Sequence, residues 1–156
     1  MMQWFDKEFN RLTVGELFAI LKLRAEVFNG EQQSSYPDPD DNDQHAHHVF
    51  AIDNGKVIAY ARYFKQDDAI IFGRVVVASQ ARGIGLGGKI VEHLLTGIAN
   101  NFPHTEIVIH AQAYVEQFYQ KYDFKAVGDH FIEAEREHVM MIHEPLKKEE
   151  SGNYGN

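Results

Sequence analysis

Apolar positions along the chain recur with two periods, and the changes from one to the other mark its elements. Thr13-Val14-Gly15-Glu16 has capping-box spacing, and behind it Leu17, Phe18, Ile20, Leu21, Ala25 and Phe28 recur at helical intervals. This predicts a helix from about Val14 to Phe28, ending near Asn29-Gly30. Residues 33–45, rich in Ser, Pro and Asp, are the longest stretch without periodicity and read as a loop. His48 to Ile52 and Lys56 to Phe64 read as strands joined by Asn54-Gly55, a strong hairpin signal, and a turn at Gln66-Asp67-Asp68 leads into a third strand, Ala69 to Val77. Ile90, Val91, Leu94, Leu95 and Ile98 then restore the helical period and predict a helix from about Gly87 to Asn100. Pro103 interrupts the chain before a strand from Thr105 to Ala111, and passing from strand to helix to strand implies a right-handed crossover to a parallel neighbour. Tyr114 to Tyr122 reads as a short helix, and Phe124 to Ile132 with Glu137 to His143 as a final hairpin. The pattern describes an α+β domain over residues 1–146, with no internal repeat, and a charged, then Gly/Asn-rich tail over 147–156 that is expected to be disordered.

At the junction between the third strand and the second helix stands Gln80-Ala81-Arg82-Gly83-Ile84-Gly85-Leu86-Gly87-Gly88-Lys89. Glycines there let a ligand approach the backbone, while the helix start offers unpaired N–H groups and the positive end of its dipole, so phosphate is the natural guest. Three patterns fit the same residues. As a dinucleotide fingerprint, Gly83-x-Gly85-x-x-Gly88 has the spacing, but the next strand ends in His110 instead of a ribose-binding acid, and five residues separate the strand from the first glycine. As a P-loop, Gly83 to Lys89 matches, yet Ile90 stands where Ser or Thr should ligate magnesium.

The third pattern, Arg82-x-x-Gly85-x-Gly87, resembles the acyl-CoA motif of the GNAT superfamily of N-acyltransferases, and the likeness extends from Arg74 to Leu95. Arg24-x-x-Val27-Phe28-x-x-Glu31-Gln32, Tyr36-x-Asp38-x-Asp40 and Ala111-Gln112-Ala113 are similar to the ElaA-like branch of that superfamily, so the resemblance spans nearly the whole chain to about Leu146. It implies a mixed, mostly antiparallel twisted sheet with a central parallel pair at the acyl-CoA site, flanked by helices. It also implies that Val75, Val76 and Val77 pair with the pantetheine arm and that Arg82, Gly83, Gly85, Gly87 and Gly88 wrap the pyrophosphate, with Lys89 and Gln112 beside them. Acetyl-CoA would be the co-substrate. Phe118-Tyr119-Gln120-Lys121-Tyr122-Asp123-Phe124 resembles the family's Phe-Tyr-x-x-x-Gly-Phe, whose tyrosine points at the CoA sulfur. This makes Tyr119 the expected general acid, with Asp123 in the glycine's place.

Composition narrows the partners. The formal charge of −8 argues against nucleic acid and anionic membranes and suits a cationic acceptor. The absence of cysteine excludes disulfides, thiolate metal sites and a cysteine nucleophile. No leader-like or membrane-length apolar run is present, so a cytoplasmic protein is expected. Asp38-x-Asp40-x-Asn42 opens like a calcium loop but has Asp43 at the required Gly and Val49 at the closing Glu, so no metal is expected. Asp38, Asp40, Asp41 and Asp43 would either lower the potential at the acceptor entrance or simply keep the loop solvated. A homodimer is compatible with the sequence.

The expected reaction moves an acetyl group from the CoA thioester to a primary amine of a small molecule or peptide, by direct attack in a ternary complex. Presenting a lysine-like amine neutral at pH 7 costs about 4.6 kcal/mol, so the proton on the acceptor is the demanding part. Glu31, His48 and His110 are candidate bases by residue type, as is a water relay, and Arg24 and Asp40 join them as candidate acceptor contacts. A non-catalytic acyl-CoA-binding or sensing module is the alternative.

Overall fold

The computed structural model of the chain describes residues 1–148; the tail expected over 147–156 lies, apart from Lys147 and Lys148, outside the described residues. Seven strands form one sheet in the order β1-β2-β3-β4-β5-β7-β6. They are β1 (Met2–Glu8), β2 (His47–Asp53), β3 (Lys56–Gln66), β4 (Ala69–Val77), β5 (Glu106–Gln112), β6 (Lys125–Glu133) and β7 (Arg136–His143). Every neighbouring pair is antiparallel except β4 and β5, which run parallel as the crossover requires. Asn54 and Gly55 both take positive φ, 51° and 76°, and make the two-residue turn between β2 and β3. The hairpin of β6 and β7 turns through Ala134 and Glu135, also at positive φ but with no glycine to signal it.

Helix α1 (Val14–Arg24) starts on the capping box, with the Glu16 N–H donating to Thr13 Oγ1 at 3.0 Å and the Thr13 N–H donating to the Glu16 carboxylate at 2.9 Å. It does not continue as an α-helix to Phe28, because residues Ala25–Glu31 widen into π-helical turns. Its buried face is also not the expected one: Ile20, Leu23, Arg24 and Val27 point inward, while Phe18 is 68% exposed. Helix α2 (Leu86–Asn101) lays Ile90, Val91, Leu94, Leu95 and Ile98 against the sheet, where all five are buried. A Cβ at Gly97 would collide with the Asp6 carboxylate and the Tyr63 hydroxyl, so this glycine lets α2 sit over β1 and β3. Helix α3 (Glu116–Gln120) follows β5 through a single 3-10 turn.

Strand β1 is absent from the sequence reading. It is a half-buried edge strand with one short apolar run, Trp4-Phe5, and so carries neither the alternation nor the turn signals that mark the inner strands.

Two features of β4 prepare the site. Arg62 pairs with Gly73 and Tyr60 with Val76, so Arg74 and Val75 together oppose one residue of β3, a β-bulge, and Arg74 takes φ +52°. Pairing between β4 and β5 also ends at Ile71 and Val108, after three residue pairs. Beyond that point the central parallel strands separate.

Candidate active site

The parting of β4 and β5 opens a cavity of about 930 Å3, lined on its walls by Ile71, Phe72, Gly73, Arg74 and Val75 of β4 and by Val108, Ile109, His110, Ala111 and Gln112 of β5. Val76 and Val77 pair with Tyr60 and Ala59 on the β3 side, so the other backbone edge of β4 faces the gap instead of a strand. An extended chain with amide groups could add to that edge as a strand would. Gly87 of α2 and Phe118 and Tyr119 of α3 close one side.

At that side the glycine loop turns into α2. Gly83 has φ +87° and Gly85, the residue that caps α2, has φ +82°, a left-handed backbone that no side chain tolerates well. The first helical bond runs from the Lys89 N–H to the Gly85 carbonyl, and no side chain caps the turn, so the Leu86, Gly87 and Gly88 N–H groups are left for an anion. Gly87 and Gly88 act differently from the first two glycines. A Cβ at Gly88 would lie 2.6 Å from the Tyr122 hydroxyl, so this glycine makes room for the ring just after α3, whereas one at Gly87 would meet Phe118 at an ordinary contact distance of 3.7 Å. Arg82 donates to the Val77 carbonyl at 3.1 Å and to the Glu31 carboxylate at 2.7 Å, both side chains being about half exposed. Lys89 lies beside Glu92, 3.3 Å away. Gln112 lies on the cavity wall.

Tyr119 is 7% exposed, lines the cavity, and has its ring against Phe72, Phe118 and Phe124. Burial pushes its hydroxyl up, so it stays protonated through the neutral range. Asp123, four residues on, has φ +69°, the backbone for which glycine is the usual choice, and the turn forms with the Phe124 N–H donating to the Tyr119 carbonyl.

The residues expected on the acceptor side fall into three separate places. Arg24 and His48 are wholly buried. Arg24 donates to Asp38 at 2.7 Å, to both Asp43 oxygens at 2.8 and 3.2 Å, to the Asp38 carbonyl at 3.0 Å and to the Tyr60 hydroxyl at 3.3 Å. His48 Nε2 sits 2.9 Å from the Asp43 carbonyl, which can only accept, so Nε2 carries the proton and Nδ1 accepts from the Tyr60 hydroxyl at 2.7 Å. Burial keeps this imidazole neutral. Neither residue has surface with which to meet an acceptor. Glu31 holds Arg82 at the loop. His110 lines the cavity and pairs with Glu133 of β6 at 2.8 Å.

Neither expectation for the acidic loop describes it. Asp38 pairs with Arg24 and Arg74, Asp43 with Arg24 and Arg62, and Asp40 with Arg62 and Arg74, so three carboxylates meet three guanidinium groups. Burial alone would raise the Asp43 carboxyl, but the hydrogen bond and charge of Arg24 hold it down at about 2. Asp41 alone of the four takes no part in these pairs and is exposed. The loop is thus internally neutralised and buttresses the bulged backbone at Arg74. The sequence marked Arg24 and the aspartates but not Arg62 and Arg74 as their partners. Glu133, Ala134, Arg136 and His138, which form the far wall of the cavity, were also not singled out. Finding them needs β7 placed beside β5, and no local signal gives that order.

Comparison with known proteins agrees with this fold. Residues 22–145 match the family described as an acetyltransferase (GNAT) domain. The ElaA protein of Escherichia coli (strain K12) is 32% identical over 152 residues, covering 94% of this chain and 99% of its own. Its crystal structure superposes with a TM-score of 0.87 at 31% identity, covering 91% of this chain and 99% of its own. An acyl-CoA N-acyltransferase from Pseudomonas aeruginosa superposes with a TM-score of 0.88 at 34% identity, covering 92% of this chain and 99% of that one. An aminoglycoside 6′-N-acetyltransferase complexed with coenzyme A shares the fold, with a TM-score of 0.67 at 15% identity over 90% of this chain and 96% of its own.

Proposed function

Since the chain belongs to the acetyltransferase (GNAT) family, we propose that it moves an acetyl group from acetyl-CoA to a primary amine of a small molecule or peptide by direct attack in a ternary complex. The observation that carries this reading is the gap between β4 and β5, open at one end onto the uncapped start of α2 and walled at the same end by Tyr119. The pantetheine arm lies along the free edge of β4 at Val75, Val76 and Val77. The pyrophosphate sits on the Gly83–Gly88 loop with Arg82, near Lys89, and Gln112 borders the thioester. Tyr119 hydrogen-bonds the sulfur as negative charge gathers on it. With the acidic loop neutralised from within, what still favours a cationic acceptor is the chain's charge of −8.

Acetyl-CoA is expected to raise the melting temperature while NAD and ATP do not. At 100 times its Kd a ligand stabilises by about 2.7 kcal/mol, or about 5–10 °C for a domain of this size. Equal shifts with NAD or ATP would overturn the cofactor assignment, and a screen of amines for CoA release then tests transfer itself.

Tyr119→Phe is expected to lower kcat by about 10-fold, toward the small end of general-acid effects, with little change in the KM for acetyl-CoA. A phenol is already a weaker acid than the thiol it serves, and burial weakens it further, so the hydroxyl acts by hydrogen-bonding the departing thiolate more than by giving up its proton. A variant whose kcat stays within about twofold of wild type, with chemistry limiting, makes Tyr119 a packing residue.

A further inference from the structure

The same cavity contains a group that can take the acceptor's proton. His110 Nδ1 lies 2.8 Å from Glu133 Oε1. A carboxylate only accepts, so Nδ1 carries the hydrogen, and in the neutral form of the ring the lone pair is on Nε2. The ring is held edge-on to Phe131 at 5.1 Å, which fixes the plane in which that lone pair points. Of the other proton acceptors on the cavity wall, Asp38 is buried between Arg24 and Arg74, and His138, whose Nδ1 donates to the Arg136 carbonyl, is only 7% exposed, against 47% for the His110 side chain. His110 stands on β5 after the strand has left β4, on the cavity that Tyr119 also lines.

We infer that His110 is the proton acceptor for the incoming amine and that Glu133 is the residue that positions it, an inference that rests on the transfer reaction proposed above. Nε2 of His110 takes one proton from the ammonium form of the acceptor. The freed nitrogen lone pair attacks the thioester carbonyl carbon, the C–N bond forms, the C–S bond breaks, and the electron pair leaves on sulfur. The nitrogen's surplus proton goes to the thiolate, and His110 returns its own to solvent, so the products are an amide, the CoA thiol and one proton.

The test compares two acceptors: a primary alkylamine that the wild type acetylates, and an alkoxyamine or hydrazide of similar shape that is already neutral at pH 7. His110→Gln is expected to lose about 100-fold in kcat/KM on the alkylamine and less than about threefold on the neutral nucleophile, because only the first needs a base before attack. Equal losses on both acceptors would overturn the inference in favour of a packing role, as would a loss under about twofold on the alkylamine. Glu133→Gln is expected to show the same selectivity with a smaller loss. In long-range 1H–15N spectra the wild-type His110 should be protonated at Nδ1, with a mixed tautomer in Glu133→Gln; a wild-type ring protonated only at Nε2 overturns the positioning role. If the wild type binds acetyl-CoA but acetylates neither amine, the transfer reading itself fails and the inference with it.

Discussion

Replacing Arg24 with Met should destabilise the protein by about 3 kcal/mol, lowering its melting temperature by about 6–12 °C, although residue 24 lies on a helix whose apolar face would readily accept methionine. The guanidinium makes bonds to Asp38, Asp43 and Tyr60 with essentially no exposure. Removing it leaves two buried carboxylates short of a partner, and breaking a buried pair from one side costs about 3–5 kcal/mol. The low end applies because Arg74 still reaches Asp38 at 2.9 Å and Arg62 still reaches Asp43 at 2.8 Å. Arg24→Lys should recover little of the loss, since an ammonium cannot span both carboxylates as the planar fork does. The wild type should also lose stability in acid. Asp43 is held at about 2, below its usual value, so its contribution is complete above pH 4 and is lost as pH falls toward 2. Thermal and urea unfolding measure both effects; a loss below about 1 kcal/mol for Arg24→Met would mean that the network is not coupled as its geometry indicates.

How much of this was legible without coordinates depended on whether a feature is local. The capping box at Thr13, the Asn54-Gly55 turn and the glycine loop are each written within a few adjacent residues, and each forms as read. The α+β class and the strand-helix-strand crossover also follow from period and order. What failed was non-local. Arg24 was visible as a residue of a motif, but its role comes from Asp38 and Asp43, 14 and 19 residues away. The loop's charge looked exposed because its partners Arg62 and Arg74 lie on separate strands. Arg24 points inward, so the apolar stripe read from Leu17 and Phe18 does not define the buried face, and the residues that follow, Ala25–Glu31, widen into π-helical turns. His110 was a candidate by type, and only the hairpin of β6 and β7, folded back beside β5, supplies Glu133.

The Arg82–Glu31 pair bears on binding as well. At 2.7 Å and about half exposed, it is a contact of small net worth, and a pyrophosphate bound as proposed would compete for the same guanidinium. It joins the glycine loop to the π-helical turns after α1.

Gly85→Val should weaken acetyl-CoA binding by at least about 100-fold while leaving most of the fold, as read by isothermal titration beside circular dichroism. There is room for the added carbons, since a Cβ at Gly85 meets nothing within 4 Å, so the effect does not come from a clash inside the protein. It comes from φ +82°, where a β-branched residue is strongly disfavoured. Relieving that strain rotates the first turn of α2 and turns the Leu86, Gly87 and Gly88 N–H groups away from a common anion, and the isopropyl group occupies the space the phosphate needs. Losing several charge-assisted hydrogen bonds at about 1.5–3 kcal/mol each readily exceeds the 2.7 kcal/mol that a 100-fold change represents. The buried face of α2, with Ile90, Leu94 and Ile98 further along, is untouched, so the melting temperature should fall by only a few degrees, about 2–4 °C per kcal/mol. Undiminished affinity in a folded variant would place the phosphates elsewhere than on this loop.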